Sequence, residues 1–101
     1  MNPLRFDCLA LCDVEEARRF YDARQSGLGQ KFAEAVADTV EKIAANPEWF
    51  RQVSAGLRKC RVPKFPYGIL FRYDGETVDI LVVMHLQRRP GYWKHRIGPG
   101  S

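Results

Sequence analysis

With 101 residues, of which 46% are hydrophobic and 28% charged, the chain has material for one hydrophobic core, which excludes a multidomain enzyme. The 16 Lys and Arg are unevenly spread: residues 1–50 hold 6 of them against 9 Asp and Glu, and residues 51–101 hold 10 against 3. A basic C-terminal half points to an acidic or polyanionic partner: nucleic acid, a ribosome or an acidic protein segment.

No apolar run approaches the roughly 20 residues of a membrane-spanning helix, and Met1–Arg5 lacks the apolar block of a secretory signal. A cytoplasmic protein with no membrane partner is therefore expected. Cys8, Cys12 and Cys60 are odd in number and follow no framework spacing, so free thiols in a reducing compartment are expected. Together with His85 and His95 they match no zinc-site spacing, and no phosphate-loop Lys-Ser/Thr follows the glycines around Leu28. Neither metal nor cofactor is expected.

In chain order, Leu4 to Leu9 alternates apolar and polar residues, which predicts a short strand with Leu4, Phe6 and Cys8 on one face. Asp13, followed three residues later by Glu16, has the form of a capping box and predicts that the first helix begins there. Its buried stripe would be Val14, Ala17, Phe20 and Tyr21, and Ser26-Gly27 would end it. Leu28, Phe32, Val36, Val40 and Ile43 then recur at helical spacing up to Asn46-Pro47, where proline disfavours helix in the residue before it. Two helices joined by so short a connector form an antiparallel hairpin. Residues 48–56 are expected to be a loop that tucks one aromatic, Trp49 or Phe50, under the helices.

From Leu57 the period becomes two. Leu57 to Val62 predicts a strand, as does Tyr67 to Tyr73, with Pro63 and Pro66 at the bend between them. Asp74-Gly75 predicts a two-residue hairpin loop, after which Val78, Ile80, Val82 and Met84 continue the pattern. That register pairs Tyr73 with Glu76, Phe71 with Val78, Ile69 with Ile80 and Tyr67 with Val82, an apolar face for the helices to cover. The opposite, mixed face would carry Gly68, Leu70, Arg72, Asp79, Val83 and His85. It leads into Gln87–Arg96, a decapeptide with four cations, His95, Tyr92 and Trp93. Gly98-Pro99-Gly100-Ser101 has the composition of a cloning remnant, which leaves residues 1–97 as one domain.

Cations interleaved with aromatics suit nucleic-acid or target binding, because Lys and Arg meet phosphates while rings stack on bases. The candidates are Arg58, Lys59, Arg61, Lys64, Arg72, Arg88, Arg89, Tyr92, Trp93, Lys94 and Arg96. Metal-independent RNA cleavage would need a base for the 2′-hydroxyl, an acid for the leaving oxygen and cations at phosphorus, roles open to His85, Tyr92 and the arginines. Equally, His85 could end a strand and Tyr92-Trp93 could pack the tail onto the sheet. A thiol nucleophile is not expected, since Cys8 and Cys60 fall where strand cores are predicted.

Taken together, Tyr21, Gly27-Leu28-Gly29-Gln30-Lys31-Phe32, Ile43-Ala44-Ala45-Asn46-Pro47, Arg58-Lys59-Cys60-Arg61, Phe65-Pro66-Tyr67-Gly68-Ile69 and His85–Trp93 resemble the RelE/ParE toxin superfamily, from about Leu4 to Arg96. The resemblance implies an α+β fold of order β-α-α-β-β-β, a two-helix hairpin on one face of a small, mainly antiparallel sheet. It also implies the toxin of a type II toxin–antitoxin pair, often associated with plasmid stabilisation, held in a hetero-oligomer by an acidic antitoxin. RelE-like members cut mRNA on the ribosome with a basic cluster and a C-terminal tyrosine, whereas ParE-like members inhibit DNA gyrase. By position Arg61, Lys64, Arg88 and Tyr92 correspond to the RelE-type set, with His85 beside them. Gln87, however, stands where that set has an arginine, and the His-x-x-Arg-x-Pro-x-Tyr-Trp tail is similar to the ParE-like branch. Gyrase binding is thus the leading expectation, and an mRNA endoribonuclease or a non-toxic relative the alternatives.

Overall fold

A computed structural model describes residues 1–54, 56–88 and 91–97. Strand β1 (Leu4–Phe6) is followed by helices α1 (Cys8–Arg24) and α2 (Leu28–Ala45). A 3-10 turn (Pro47–Trp49) leads to β2 (Gln52–Ser54), β3 (Leu57–Val62), β4 (Tyr67–Tyr73) and β5 (Val78–His85), and a short helix, α3 (Lys94–Ile97), closes the described chain. The sheet order is β1-β5-β4-β3-β2, antiparallel except where β1 lies parallel to β5. The fold is α+β with the helix pair on one face, as the strand and helix periods imply; the additional strand is β2.

Helix α1 begins earlier than its sequence suggests. Asp7, not Asp13, is the N-cap, its carboxylate accepting from Leu9 N at 2.9 Å. The strand therefore stops at Phe6, and Cys8 is an exposed helical residue, not a core one. On this longer helix Ala10 and Ala17 face the core, while Phe20 stays 50% exposed. Phe20 is thus not part of the buried stripe.

Helix α2 follows its apolar spacing closely. Phe32, Val36, Val40 and Ile43 are buried against Ile69, Phe71, Val78, Ile80 and Val83 of the sheet. The helix stops at Ala45, and the Asn46 N–H closes the last turn on Lys42 O at 3.2 Å. In the following segment Phe50 packs edge-on against Phe71, with centroids 5.9 Å apart, while Trp49 remains 80% exposed.

The β4–β5 hairpin departs from the two-residue loop. Asp74 Oδ1 accepts from Glu76 N at 2.9 Å and Thr77 N at 2.7 Å, so the turn runs through Thr77 and pairing starts at Tyr73 with Val78. The register then shifts: Phe71 faces Ile80 but Leu70 faces Val82, which leaves Leu81 as an extra residue on β5. Because side chains alternate along a strand, one extra residue reverses the faces of everything beyond it. Val78, Ile80 and Val83 consequently share the helix-side core, and Val82 joins Leu57 and Leu70 on the far face. Val83 and His85 are therefore on the helix side, opposite to the sequence-based assignment.

Candidate functional site

The bulge, together with the shortness of β1, creates a polar cleft between α1 and β5. β1 pairs with β5 only through Ile80, so the outer edge of β5 beyond that point has no strand beside it. Side chains take over there. Asp13, on the flank of α1 that faces β5, accepts from Val83 N at 3.0 Å through Oδ2 and from Arg96 Nη1 at 3.1 Å through Oδ1. Arg96 also donates from Nη2 to Leu81 O at 3.3 Å, and the two side chains of this pair are 13% and 19% exposed for Arg96 and Asp13. Burial raises the Asp13 pKa above its ordinary value, a push that the Val83 amide and Arg96 oppose without cancelling.

Above Asp13 opens a cleft of about 220 Å³, whose walls include Glu16 and Phe20 of α1, Tyr67, His85, Arg88 and Tyr92. Tyr67 meets His85 edge-on at 5.0 Å, and the Arg88 guanidinium lies 3.9 Å from the centre of the Tyr92 ring. His85 Nδ1 accepts from Gln87 N at 3.1 Å. The Tyr67 and Tyr92 phenols are pushed up, first by burial and then by nearby charges that include Asp13, although Arg88 and Arg96 oppose this at Tyr92. Both are held as neutral hydroxyls that can donate a hydrogen bond, a poor state for a general base.

Tyr67 is itself propped from behind. Phe32 and Tyr21 pack against it with ring centroids 4.9 Å and 6.2 Å away, and Phe65 in turn backs Phe32 at 5.2 Å and Tyr21 at 5.1 Å.

The remaining sequence candidates are scattered. Lys59 and Arg61 pair with Leu70 and Gly68, and with Arg72 they lie on the far face of the sheet. That face has an apolar centre, Leu57, Leu70 and Val82, against which Trp93 and Ile97 pack. Arg58 donates to Phe50 O at 2.6 Å and ties down the segment before β2. Lys64 is exposed in the β3–β4 turn with φ of 71°, and Lys94 is exposed beside Gly91. Arg89 and residues 98–101 lie outside the described residues. Thus His85, Arg88 and Tyr92 come together, whereas Arg61 is on the other side of the sheet. Of the thiols, Cys12 is exposed on α1 like Cys8, and Cys60 is half-buried in β3 with its pKa raised by that burial.

The model of the ParE toxin of the type II toxin-antitoxin system, parDE, matches residues 4–90. The chain belongs to the ParE toxin family. A chain of the chromosomal ParDE TA system from P. aeruginosa shares the fold, with a TM-score of 0.66 and 24% identity over 86% of this chain and 98% of that one. No curated protein sequence matches. Among the described residues, no helix of this ParE-family chain is long and apolar enough to cross a membrane.

Reading the sequence missed the acidic floor of the cleft. Asp13 lies three residues after Ala10 and four before Ala17, both buried, so a helical projection puts its carboxylate beside the inward stripe where it needs a partner. In this ParE-family fold that partner comes from the tail, 83 residues away.

The sign of the resulting pH dependence follows from the raised pKa. The folded state holds the Asp13 proton more tightly than the unfolded chain, so this carboxyl favours folding below its ordinary value of 3.8 and loses that contribution as pH rises through the elevated folded value. Asp74, whose pKa the Thr77 and Glu76 amides lower, works in the opposite sense over a lower range. Asp13→Asn is expected to gain stability relative to the unmodified protein as pH rises from below 3.8 towards neutrality, measured by urea midpoints across that range. A difference independent of pH would contradict the assignment.

Proposed function

We propose that this ParE-family chain is a growth-inhibiting toxin that acts by binding DNA gyrase without catalysis and is neutralised by an acidic antitoxin. The observation that carries the non-catalytic reading is the division of the RNase candidates by the sheet: His85, Arg88 and Tyr92 gather at the α1 cleft, while Arg61 is on the far face, whose centre is closed by Trp93 and Ile97. Phosphoryl transfer requires acid, base and cations around one phosphorus, within hydrogen-bond reach of it. The Asp13 and Glu16 carboxylates in the cleft also disfavour an RNA backbone there.

The antitoxin reading rests on family membership and on charge. A segment rich in Asp and Glu, ordered on binding, would neutralise the excess cations of residues 51–101 while apolar anchors supply most of the affinity. Co-purification of the chain with the product of its neighbouring gene is the expected result; free monomer alone would remove this part of the proposal.

The target is tested by inducing the chain in a host without the antitoxin. Growth arrest with gyrase-linked DNA breaks and intact messages is expected. Codon-phased mRNA cleavage with normal plasmid topology would replace this reading with an endoribonuclease, and unimpaired growth would replace it with a non-toxic member of the family. Arg61→Ala combined with Arg88→Ala is expected to leave messages intact, as in the unmodified protein.

A further inference from the structure

The segment Gly91–Ile97 has an unusual position. It crosses the unpaired outer edge of β5, placing Tyr92 in the α1 cleft and Trp93 and Ile97 against the far face of the sheet, so one short strap covers two surfaces. Its backbone hydrogen bonds, Lys94 N to Gly91 O at 3.0 Å and Arg96 N to Trp93 O at 2.9 Å, run within the strap. Among the described residues, its polar ties to the sheet and α1 come from one side chain, Arg96, through Asp13 and Leu81 O. Among the described residues, the main core between the helices and the sheet contains no strap residue.

We propose that Gly91–Ile97 is a latch that opens as a unit while the domain stays folded, uncovering the α1 cleft and the far sheet face together, with Arg96 on Asp13 as its catch.

Energetics favour such a device over a permanently sealed tail. A buried ion pair stabilises little once the desolvation of both charges is counted, and here Arg96 Nε is buried with no hydrogen-bond partner among the described residues. On opening, both charges and the orphaned N–H return to water, which offsets the loss of the Trp93 and Ile97 contacts. Segments without strand pairing that attach by a few side chains open at lower free energy than the core. The closed latch also holds Tyr92 next to Arg88, so opening redraws the cleft as well as the far face.

The chain has two tryptophans, and Trp49 is 80% exposed, so Trp49→Phe leaves Trp93 as the single reporter at little cost in stability. In the Trp49→Phe protein, Trp93 emission is expected to move to the red at lower urea than the loss of far-UV circular dichroism. Adding Arg96→Gln should bring the first transition lower still and leave the second in place. Superimposed transitions, or an equal shift of both by Arg96→Gln, would overturn the latch and make the tail part of one cooperative unit.

Amide exchange gives an independent reading that needs no tryptophan substitution. Arg96→Gln should speed exchange at Val83, whose N–H is held by Asp13 at the β5 edge that the strap crosses, by about tenfold or more, because losing the charge-assisted Arg96–Asp13 hydrogen bond makes the latch open more often, while Ile69 in β4 is unchanged. Equal acceleration at both amides would count against the proposal. These readouts concern the fold alone, so they stand or fall separately from the gyrase reading.

Discussion

Phe32→Ala is expected to lower the stability of the domain by about 3–5 kcal/mol, the range for removing a fully buried aromatic side chain. Phe32 has no exposed surface and joins α2 to both the β3–β4 turn and β4 through Phe65 and Tyr67. Its removal leaves a void walled by aromatic rings, which are too rigid to collapse into it. A single domain of this size has about 5–15 kcal/mol in total, so the variant should be folded at room temperature but with a strongly reduced urea midpoint. Phe32→Leu, which restores most of the volume, should cost less than half as much. A loss below about 1 kcal/mol in the alanine variant would mean that the ring cluster is not close-packed as described. There is a functional consequence as well: Phe32 supports Tyr67, so the α1 cleft should loosen together with the core.

Gly29→Ala is the second substitution of large expected effect. Gly29 is buried in the first turn of α2, and its N–H donates to Asp22 Oδ1 of α1 at 2.8 Å. A Cβ built there would overlap the Arg18 carbonyl oxygen and approach Asp22 Oδ1 to 2.7 Å. The Asp22 side chain could rotate away, but the Arg18 carbonyl is helix backbone and can retreat only by moving α1. Overpacking of this kind costs about 1–3 kcal/mol and occasionally more, to which the lost Gly29–Asp22 hydrogen bond adds. The higher helix propensity of alanine returns no more than about 1 kcal/mol. Chemical denaturation should therefore place Gly29→Ala below the unmodified protein by about 2–3 kcal/mol, with the helical signal retained. A neutral or stabilising result would show that the helix pair is less closely approached at this end. Gly27, two residues earlier, is needed for a different reason: its φ of 88° is the left-handed conformation that starts α2.

Much of the architecture was legible because it depends on local period. The spacing of Leu28, Phe32, Val36, Val40 and Ile43 specifies a helix with one buried face whatever surrounds it, and Pro47 marks its end. Alternation in Leu57–Val62, Tyr67–Tyr73 and Val78–His85 specifies strands in the same local way. The short strand β2 carried no such signal, since Gln52–Ser54 is too brief for a period and forms only by pairing with β3. Asp7 and Asp13 are both acceptable caps by composition; the structure selects Asp7 because β1 ends at Phe6, where Asp7 N bonds Ile80 O at 2.9 Å and turns the chain into α1.

By itself, the sequence determined the fold class, the helix pair, the apolar content of the strands and the charge asymmetry that points to an acidic partner, because each of these is a property of composition or short-range spacing. Only the tertiary structure decided which residues meet in the cleft. The extra residue at Leu81 exists only in relation to β4, yet it moves Val83 and His85 to the helix side and so sets them opposite Arg61. Likewise the Asp13–Arg96 pair spans 83 residues and forms because β1 is too short to cover β5, leaving a backbone edge whose N–H and C=O groups had to be satisfied by side chains from elsewhere in the chain.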